Sequence, residues 1–508
     1  MVADRLTQTG VTVPTVAPAP AGLVGAMRDR RPRVVVVGDA VLDEWLTGHA
    51  HRIGRDAPVP VVDLDESSTA AGGAAGVAAN LAGLGAQVEL VTVFGDDADG
   101  PALRRALHGH GVTVDRSVIE LGRPTSTKRR VVAAGQPVAR YDTTPDAPPH
   151  RSTDLALADA VSEAVATGVD AVVVADYGLG TLGPRTHRRL ARLRPGIPLF
   201  VVDAHDLSRW SELAPDAVTP SAQEAAALLG EAPPTTDRVA WGAARADALL
   251  DRTGAAQVLL TLDVDGALVL PGGGGEPGRR PAARGVSDAL ACGAGDTFTA
   301  AWTVAACVGA TAAEALACAQ AAADVVVGRP GTVACTADAL TARLAADDRG
   351  SVLCHRDLLS ALAEHRRAGH RVVFTNGCFD VLHRGHVAYL RQARALGDVL
   401  VVALNADASV ARLKGPERPV NPLEDRAGVV GAVDAVDLVT SFDADTPVEL
   451  IEQVRPEVYA KGGDYTAQML PETPVVERLG GRVRVLSYLS DHSTTAIVAR
   501  IRATSGTG

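Results

Sequence analysis

The run RVVVVGD, residues 33–39, places four consecutive valines between charged ends. A strand wet on one face alternates apolar with polar residues. An unbroken β-branched run is instead buried on both faces, as in a parallel sheet covered by helices. VELVTVFG (88–95), DAVVVADYG (170–178), PLFVVDA (198–204) and VLLTLDVDGALVL (258–270) repeat the pattern, the last around a DVDG hairpin turn. Helical Ala/Leu-rich stretches separate them, which implies an α/β fold. A second series comes later in the chain: RVVFTNG (371–377), DVLVVALNAD (398–407), DAVDLVTSF (434–442), EVYAKGGD (457–464) and RVRVLSY (482–488). Polar LAADDRGSVL (344–353) separates the two series and places a boundary near 348–352. At 508 residues the chain has room for two domains. The expected organisation is a disordered leader over 1–30, a large α/β domain over 31–347 and a smaller doubly wound domain over 352–505. Short alternating strands near Arg129–Ala133 and Pro137–Tyr141 suggest a small β lid on the first domain.

Net charge is −11, and the basic cluster RDRRPR (28–33) is short. Nucleic-acid binding needs clustered Lys and Arg, so it is not expected. Six cysteines form no CxxC pair, which suits free thiols in a reducing cytosol. The first residues lack a basic region followed by an apolar core, so no signal peptide is expected. The uncharged run 297–313 is short for a membrane span and reads as a buried helix.

Two constellations carry chemistry. ACGAGDTFTAAW begins at Ala291 and sets Gly293, Ala294, Gly295 and Asp296 at the start of a long apolar helix. Glycines let backbone approach a ligand, and free N–H groups at a helix start face an anion. A carboxylate there can take a proton from a hydroxyl that attacks a phosphate. It can equally be an N-cap in a Gly-rich turn. Upstream, GDAVLDEW places Asp39 and Asp43 just past the first strand, where carboxylates could grip a polyol. AAGGAAGVAANLAGLG brings the Gly72–Gly73 turn into a helix.

This order of features resembles the ribokinase-like sugar kinase family over roughly residues 33–345. The resemblance makes Asp296 the base and Gly293, Ala294 and Gly295 the anion hole. It places Asp39, Asp43, Gly72 and Gly73 at the sugar and Glu224 at the nucleotide. This sequence departs from the family pattern at three positions. Gly76 and Ser221 stand where relatives carry Asn. Leu290 stands where they carry Asp, with Asp288 as a possible substitute.

The second constellation is FTNGCFDVLHRGHVAYL, 374–390, with His383 and His386 three apart around Gly385. Zinc needs three or four ligands, and no spacing here supplies them. Loop histidines without a role are one alternative. Imidazole donors for a phosphorus that gains charge during attack are the other. HxGH after TNGCFD is similar to the nucleotidyltransferase superfamily. That resemblance implies nucleotide contacts from Thr375, Asn376, Gly377, Phe379 and Asp380, and from Asn405. It makes Lys414, Arg418 and Arg426 mobile cations, and gives the β- and γ-phosphates to Ser493, Thr494 and Thr495 of DHSTTAIVARI.

The fusion, with PVNPLEDR, DTPVELI and KGGDY, resembles the bifunctional heptose kinase/adenylyltransferase family that makes ADP-heptose. What it implies is ATP as substrate of both steps, Mg²⁺ with each triphosphate, no protein metal site and heptose phosphates as partners. It also implies a cytoplasmic homodimer joined through the lids. By their charge and place on the lid segment, Lys128 or Arg129 could hold the sugar's 7-phosphate. An active adenylyltransferase with a degenerate kinase domain, or one for another sugar or polyol phosphate, remains open at this point.

Overall fold

In the computed structural model the described residues are 13–20, 22–55, 57–283, 292–329, 331–348, 352–462 and 466–486. The chain divides into two compact units, Met1–Leu344 and Ala345–Gly508.

The first unit is built on an eight-stranded sheet. Gln87–Val91, Arg33–Gly38, Ala171–Asp176, Phe200–Ala204, Ala217–Val218 and Gln257–Thr261 run parallel in that spatial order. Ala267–Pro271 and Gly278–Arg280 close the sheet antiparallel, the first across the DVDG turn. The valine run splits by parity. Val34 and Val36 enter the core beneath Ala74–Gly83, Ala294–Cys307 and Ala312–Val326, and Val35 and Val37 enter the core on the other face. Both faces are therefore dry, as the unbroken apolar run requires.

Four strands, Pro60–Gly73, Ala40–Ile53, Thr127–Ala133 and Gln136–Thr143, form a separate sheet in that order. This is the lid. The leader expectation needs correction. Residues 1–12 and 21 lie outside the described residues, but the chain around Pro14–Val16 is ordered. Val16 N–H donates to Arg279 O (2.8 Å) and Arg279 N–H to Pro14 O (2.9 Å), so the segment straps the edge of the main sheet. Helix Leu23–Arg30 then buries Leu23, Val24 and Met27. Local composition suggested disorder, and pairing with a strand far along the chain overrides it.

The second unit holds a six-stranded parallel sheet. Its order is Val352–Leu353, Leu438–Phe442, Val399–Asn405, Val372–Gly377, Val458–Gly462, Arg482–Leu486. Strand Val372–Gly377 is central. The chain moves to one side of it, then crosses to Val458–Gly462 on the other. A crevice at the carboxyl ends of these two strands is where such sheets bind ligands. Among the described residues no helix is long and apolar enough to cross a membrane.

Candidate active sites

In the first unit, Gly293 has φ +79°, a left-handed conformation that favours glycine, and starts the helix Ala294–Cys307. The first N–H groups of that helix have no partner within it, as binding an anion there would require. Ala294 and Gly295 line a cavity of about 270 Å³ with Ser221, Thr261, Asp263, Gln320 and Asp324. Asp296 lies in the first turn. Its Oδ1 accepts from Tyr177 Oη at 3.2 Å. Its Oδ2 packs over Gly76, where an added Cβ would lie only 2.4 Å away. Burial first, then the charges of Asp203 and Asp43, pushes the Asp296 carboxyl up to about 8. Lys128 acts in the opposite direction.

Asp43 is buried and accepts from Arg130 Nη1 (2.9 Å) and Thr332 Oγ1 (3.0 Å). Gly72 leaves it room, since a Cβ there would meet Asp43 Oδ2 at 2.5 Å. Gly73, at φ +56°, lets the turn approach the Asp39 carbonyl and Tyr177. Asp39 itself differs from expectation. Its carboxylate accepts from the backbone N–H groups of Tyr177 (2.9 Å), Leu179 (3.0 Å) and Thr181 (3.0 Å). It anchors the loop after Asp176, and its oxygens face the protein rather than a sugar.

Glu224 is likewise engaged. Oε2 accepts from Ser221 N and Oγ, both 2.8 Å, and Oε1 lies 2.5 Å from His205 Nδ1. With Glu224 N–H donating back to Ser221 Oγ, this is a capping box. Ser caps a helix as well as Asn does, so Ser221 keeps the local geometry. Asp288 and Leu290 lie outside the described residues.

The lid cations separate. Arg129 pairs with Glu44 (2.6 Å) and Asp99 (2.7 Å), and Arg130 pairs with Asp43 and stacks on Trp45. Lys128 stands in register between Asp43 and Asp142. It makes no hydrogen bond or ion pair among the described residues, and its charge reaches Asp296 and His205.

In the second unit, a cavity of about 140 Å³ opens at the carboxyl ends of the two central strands. Asn376, Gly377, Cys378, Phe379, Asp380, His386, Tyr389, Lys414, Lys461 and Gly462 line it. His383 caps helix Arg384–Arg394, and its ring stacks on that of His386 with centroids 3.8 Å apart. The His383 backbone N–H donates to His386 Nδ1 at 3.4 Å, which leaves the proton of the neutral ring on Nε2. Burial first, then His383 and Lys414, lowers His386 to about 4, so it is neutral at pH 7.

Asn376 Oδ1 accepts from Tyr459 Oη (2.8 Å) and Lys461 Nζ (2.9 Å). Thr375 Oγ1 meets Tyr389 Oη at 2.5 Å beneath the pocket. Phe379 adopts φ +44° and lays its ring against Gly377. Asn405 is buried and donates to Ser409 Oγ (3.1 Å).

Three expectations are corrected here. Arg426 is a buried strut, not a mobile cation. It donates to the carbonyls of Asn421 (3.1 Å), Cys378 (2.6 Å) and Asn405 (2.8 Å), and to Asp407 (2.6 Å). Asp380 accepts from Val420 N (2.7 Å) and Asn421 N (3.2 Å) and pairs with Arg418 at 2.5 Å. It fastens the 418–421 segment at the pocket wall, and Arg418 is held with it. Ser493, Thr494 and Thr495 lie outside the described residues.

Sequence reasoning missed four residues. Tyr177, Asp203 and Lys461 end parallel strands or follow them directly, a position that marks ligand crevices. Thr332, the partner of Asp43, gave no signal.

Residues 31–339 match the pfkB family carbohydrate kinases, and residues 374–500 match the cytidylyltransferase-like family. A bifunctional protein HldE of Pelobacter propionicus is 39% identical over 480 residues, which cover 93% of this chain and 97% of that protein. One from Pseudomonas fluorescens is 40% identical over 494 residues, covering 94% and 98%. Phosphofructokinase-2 of Escherichia coli shares the fold of the first unit, with TM-score 0.52 and 19% identity over 62% of this chain and 98% of its own. The chain therefore belongs to the family of bifunctional HldE proteins, with a pfkB-type carbohydrate kinase followed by a cytidylyltransferase-like nucleotidyltransferase.

Proposed function

We propose that the chain performs two steps of ADP-heptose biosynthesis. The first unit transfers the γ-phosphate of ATP to the anomeric hydroxyl of D-glycero-D-manno-heptose 7-phosphate. A separate phosphatase removes the 7-phosphate. The second unit then joins heptose 1-phosphate to AMP from ATP and releases pyrophosphate. MgATP is the substrate in both, the ion entering as counter-ion of the triphosphate.

In the kinase, Asp296 takes the proton of the attacking hydroxyl. The helix-start N–H groups at Gly293, Ala294 and Gly295 hold phosphoryl oxygens, and Lys128 supplies the free cation. In the adenylyltransferase, a phosphate oxygen of the sugar attacks the α-phosphorus, so no protein nucleophile is needed. His386 donates from Nε2, His383 stacks against it, and Lys414 and Lys461 neutralise phosphate charge. Ser493, Thr494 and Thr495 complete the triphosphate site.

The degenerate-kinase alternative loses two of its three grounds, the third, Leu290, lying outside the described residues. Gly76 accommodates Asp296, and Ser221 reproduces the cap. The six cysteines are free thiols, which supports a cytoplasmic setting. Ile53, Leu64 and Tyr141 expose apolar surface on the lid, which supports pairing with a second copy.

One observation carries the proposal: a stacked HxGH pair in a crevice of the second sheet, joined in one chain to an aspartate at a helix-start anion hole. The test is a substrate panel on the full chain. Heptose 7-phosphate with ATP is expected to turn over, and heptose 1-phosphate is expected to release pyrophosphate with ATP in preference to CTP. Asp296→Asn is expected to abolish only the first reaction and His386→Ala only the second. Preference for another sugar 1-phosphate, or strong residual activity in either variant, would overturn the assignment.

A further inference from the structure

Tyr177 is not explained by phosphoryl transfer alone. Its hydroxyl lies 2.8 Å from Asp203 Oδ2 and 3.2 Å from Asp296 Oδ1, one proton serving two carboxylates. Burial, first among the causes, raises both acids, to about 6 at Asp203 and about 8 at Asp296. Two half-buried carboxylates joined through one phenol hydroxyl can share one proton. A shared proton that resides on Asp296 blocks the base, since a protonated Asp296 cannot accept a proton from the sugar.

We propose that Asp296, Tyr177 and Asp203 hold one shared proton, which Tyr177 passes from Asp296 to Asp203 to free the base. This rests on Asp296 being the base of the kinase. At rest, protonated Asp296 donates to Tyr177 Oη, and Tyr177 donates to Asp203 Oδ2. On transfer, Tyr177 receives the Asp296 proton and gives its own to Asp203, so the phenol stays neutral throughout. Its O–H then points at the Asp296 carboxylate. Asp296 next takes the proton of the sugar hydroxyl as that oxygen bonds to the γ-phosphorus and ADP leaves. The proton gained in turnover is released to water.

The surroundings suit such a transfer. Asp296 faces Asp43, Asp203 and Lys128, with the Cys292 thiol nearby, and the Lys128 charge favours the ionised form on that side. Asp203 faces Glu224 and His205, with the hydroxyls of Thr219 and Thr299 alongside. Burial and the two carboxylates hold the Tyr177 phenol well above its ordinary pKa, so it relays a proton without ionising. Tyr177 and Asp203 are positioning residues; neither needs to touch substrate.

The experiment is the pH profile of kinase kcat for the full chain and for Tyr177→Phe and Asp203→Asn. Pyrophosphate release by the second site of each preparation reports integrity of the rest of the chain. In Tyr177→Phe the proton is trapped on Asp296. The acid limb is expected to move upward, leaving pH 7 activity about tenfold below that variant's alkaline plateau. Asn at 203 mimics the protonated acid and removes a neighbouring charge, so its acid limb is expected below wild type. Opposite shifts are the signature, because loss of structure lowers kcat without moving the limb in two directions. A Tyr177→Phe limb coincident with wild type overturns the proposal, as does an Asp203→Asn limb that stays or rises. If Tyr177→Phe loses the kinase fold, the direction in Asp203→Asn decides. Absent kinase turnover in wild type would remove the base assignment itself, a distinct failure.

Discussion

Arg426 shares a segment of sequence with Lys414 and Arg418, and the sequence pattern led to the expectation of three cations beside a triphosphate. Only Lys414 keeps its charge for the pocket. Arg426 is 1% exposed, and its donors hold three backbone carbonyls and Asp407. Removing it leaves the carbonyls of Cys378, Asn405 and Asn421 without that donor at once. Arg426→Met is therefore expected to destabilise the second unit by about 2–4 kcal/mol. Urea unfolding, followed by loss of adenylyltransferase activity, measures this, and kinase activity should remain. Arg426→Lys should rescue little, because one ammonium cannot span the positions a planar guanidinium reaches. Asp39 and Asp380 teach the same lesson with the opposite sign of charge. Motif and spacing led to the expectation of all three at a site, and of these Asp380 lines the described pocket. What spacing cannot show is whether neighbouring backbone has already claimed the side chain, because those donors and acceptors come from distant loops.

The lid strand Thr127–Ala133 carries Lys128, Arg129 and Arg130 in succession, and alternation decides their tasks. Lys128 and Arg130 share the face toward Asp43, while Arg129 points to Glu44 and Asp99. Lys128→Ala is expected to lower kinase kcat/KM about 10–100-fold, the worth of one charge-assisted phosphate contact. Arg129→Ala should act chiefly on stability, since it strands two carboxylates. Steady-state kinetics beside a thermal melt separates the two, and equal kinetic losses would count against the assignment of Lys128. Elements of this kind were legible unequally. The buried parallel strands stood out because both of their faces are apolar, which leaves a local trace in the sequence. The helix starts at Gly293 and His383 did so because turn chemistry is local. The strap at Val16 left no such trace, since its order comes from Arg279, hundreds of residues away.

At the scale of the whole molecule, each unit has its own sheet with a core on both faces, and each active site is lined by residues of one unit. No side chain described in one site depends on the other for its position. The chemistry points the same way. On the proposed route a phosphatase removes the 7-phosphate between the two steps, so the bisphosphate leaves the first site before the 1-phosphate made from it reaches the second. Fusion then matches the amounts of two enzymes without requiring direct hand-over of the intermediate. Mixing Asp296→Asn protein with His386→Ala protein, each defective in one step, should restore ADP-heptose formation once a suitable phosphatase is added. At equal total protein, the rate should approach half that of wild type, because half of each kind of site remains. Chromatography of the nucleotide sugar provides the measurement. A mixture far below half, with each partner reaction at its normal rate when assayed alone, would mean that the intermediate is passed within one chain, and the independence argued here would fail.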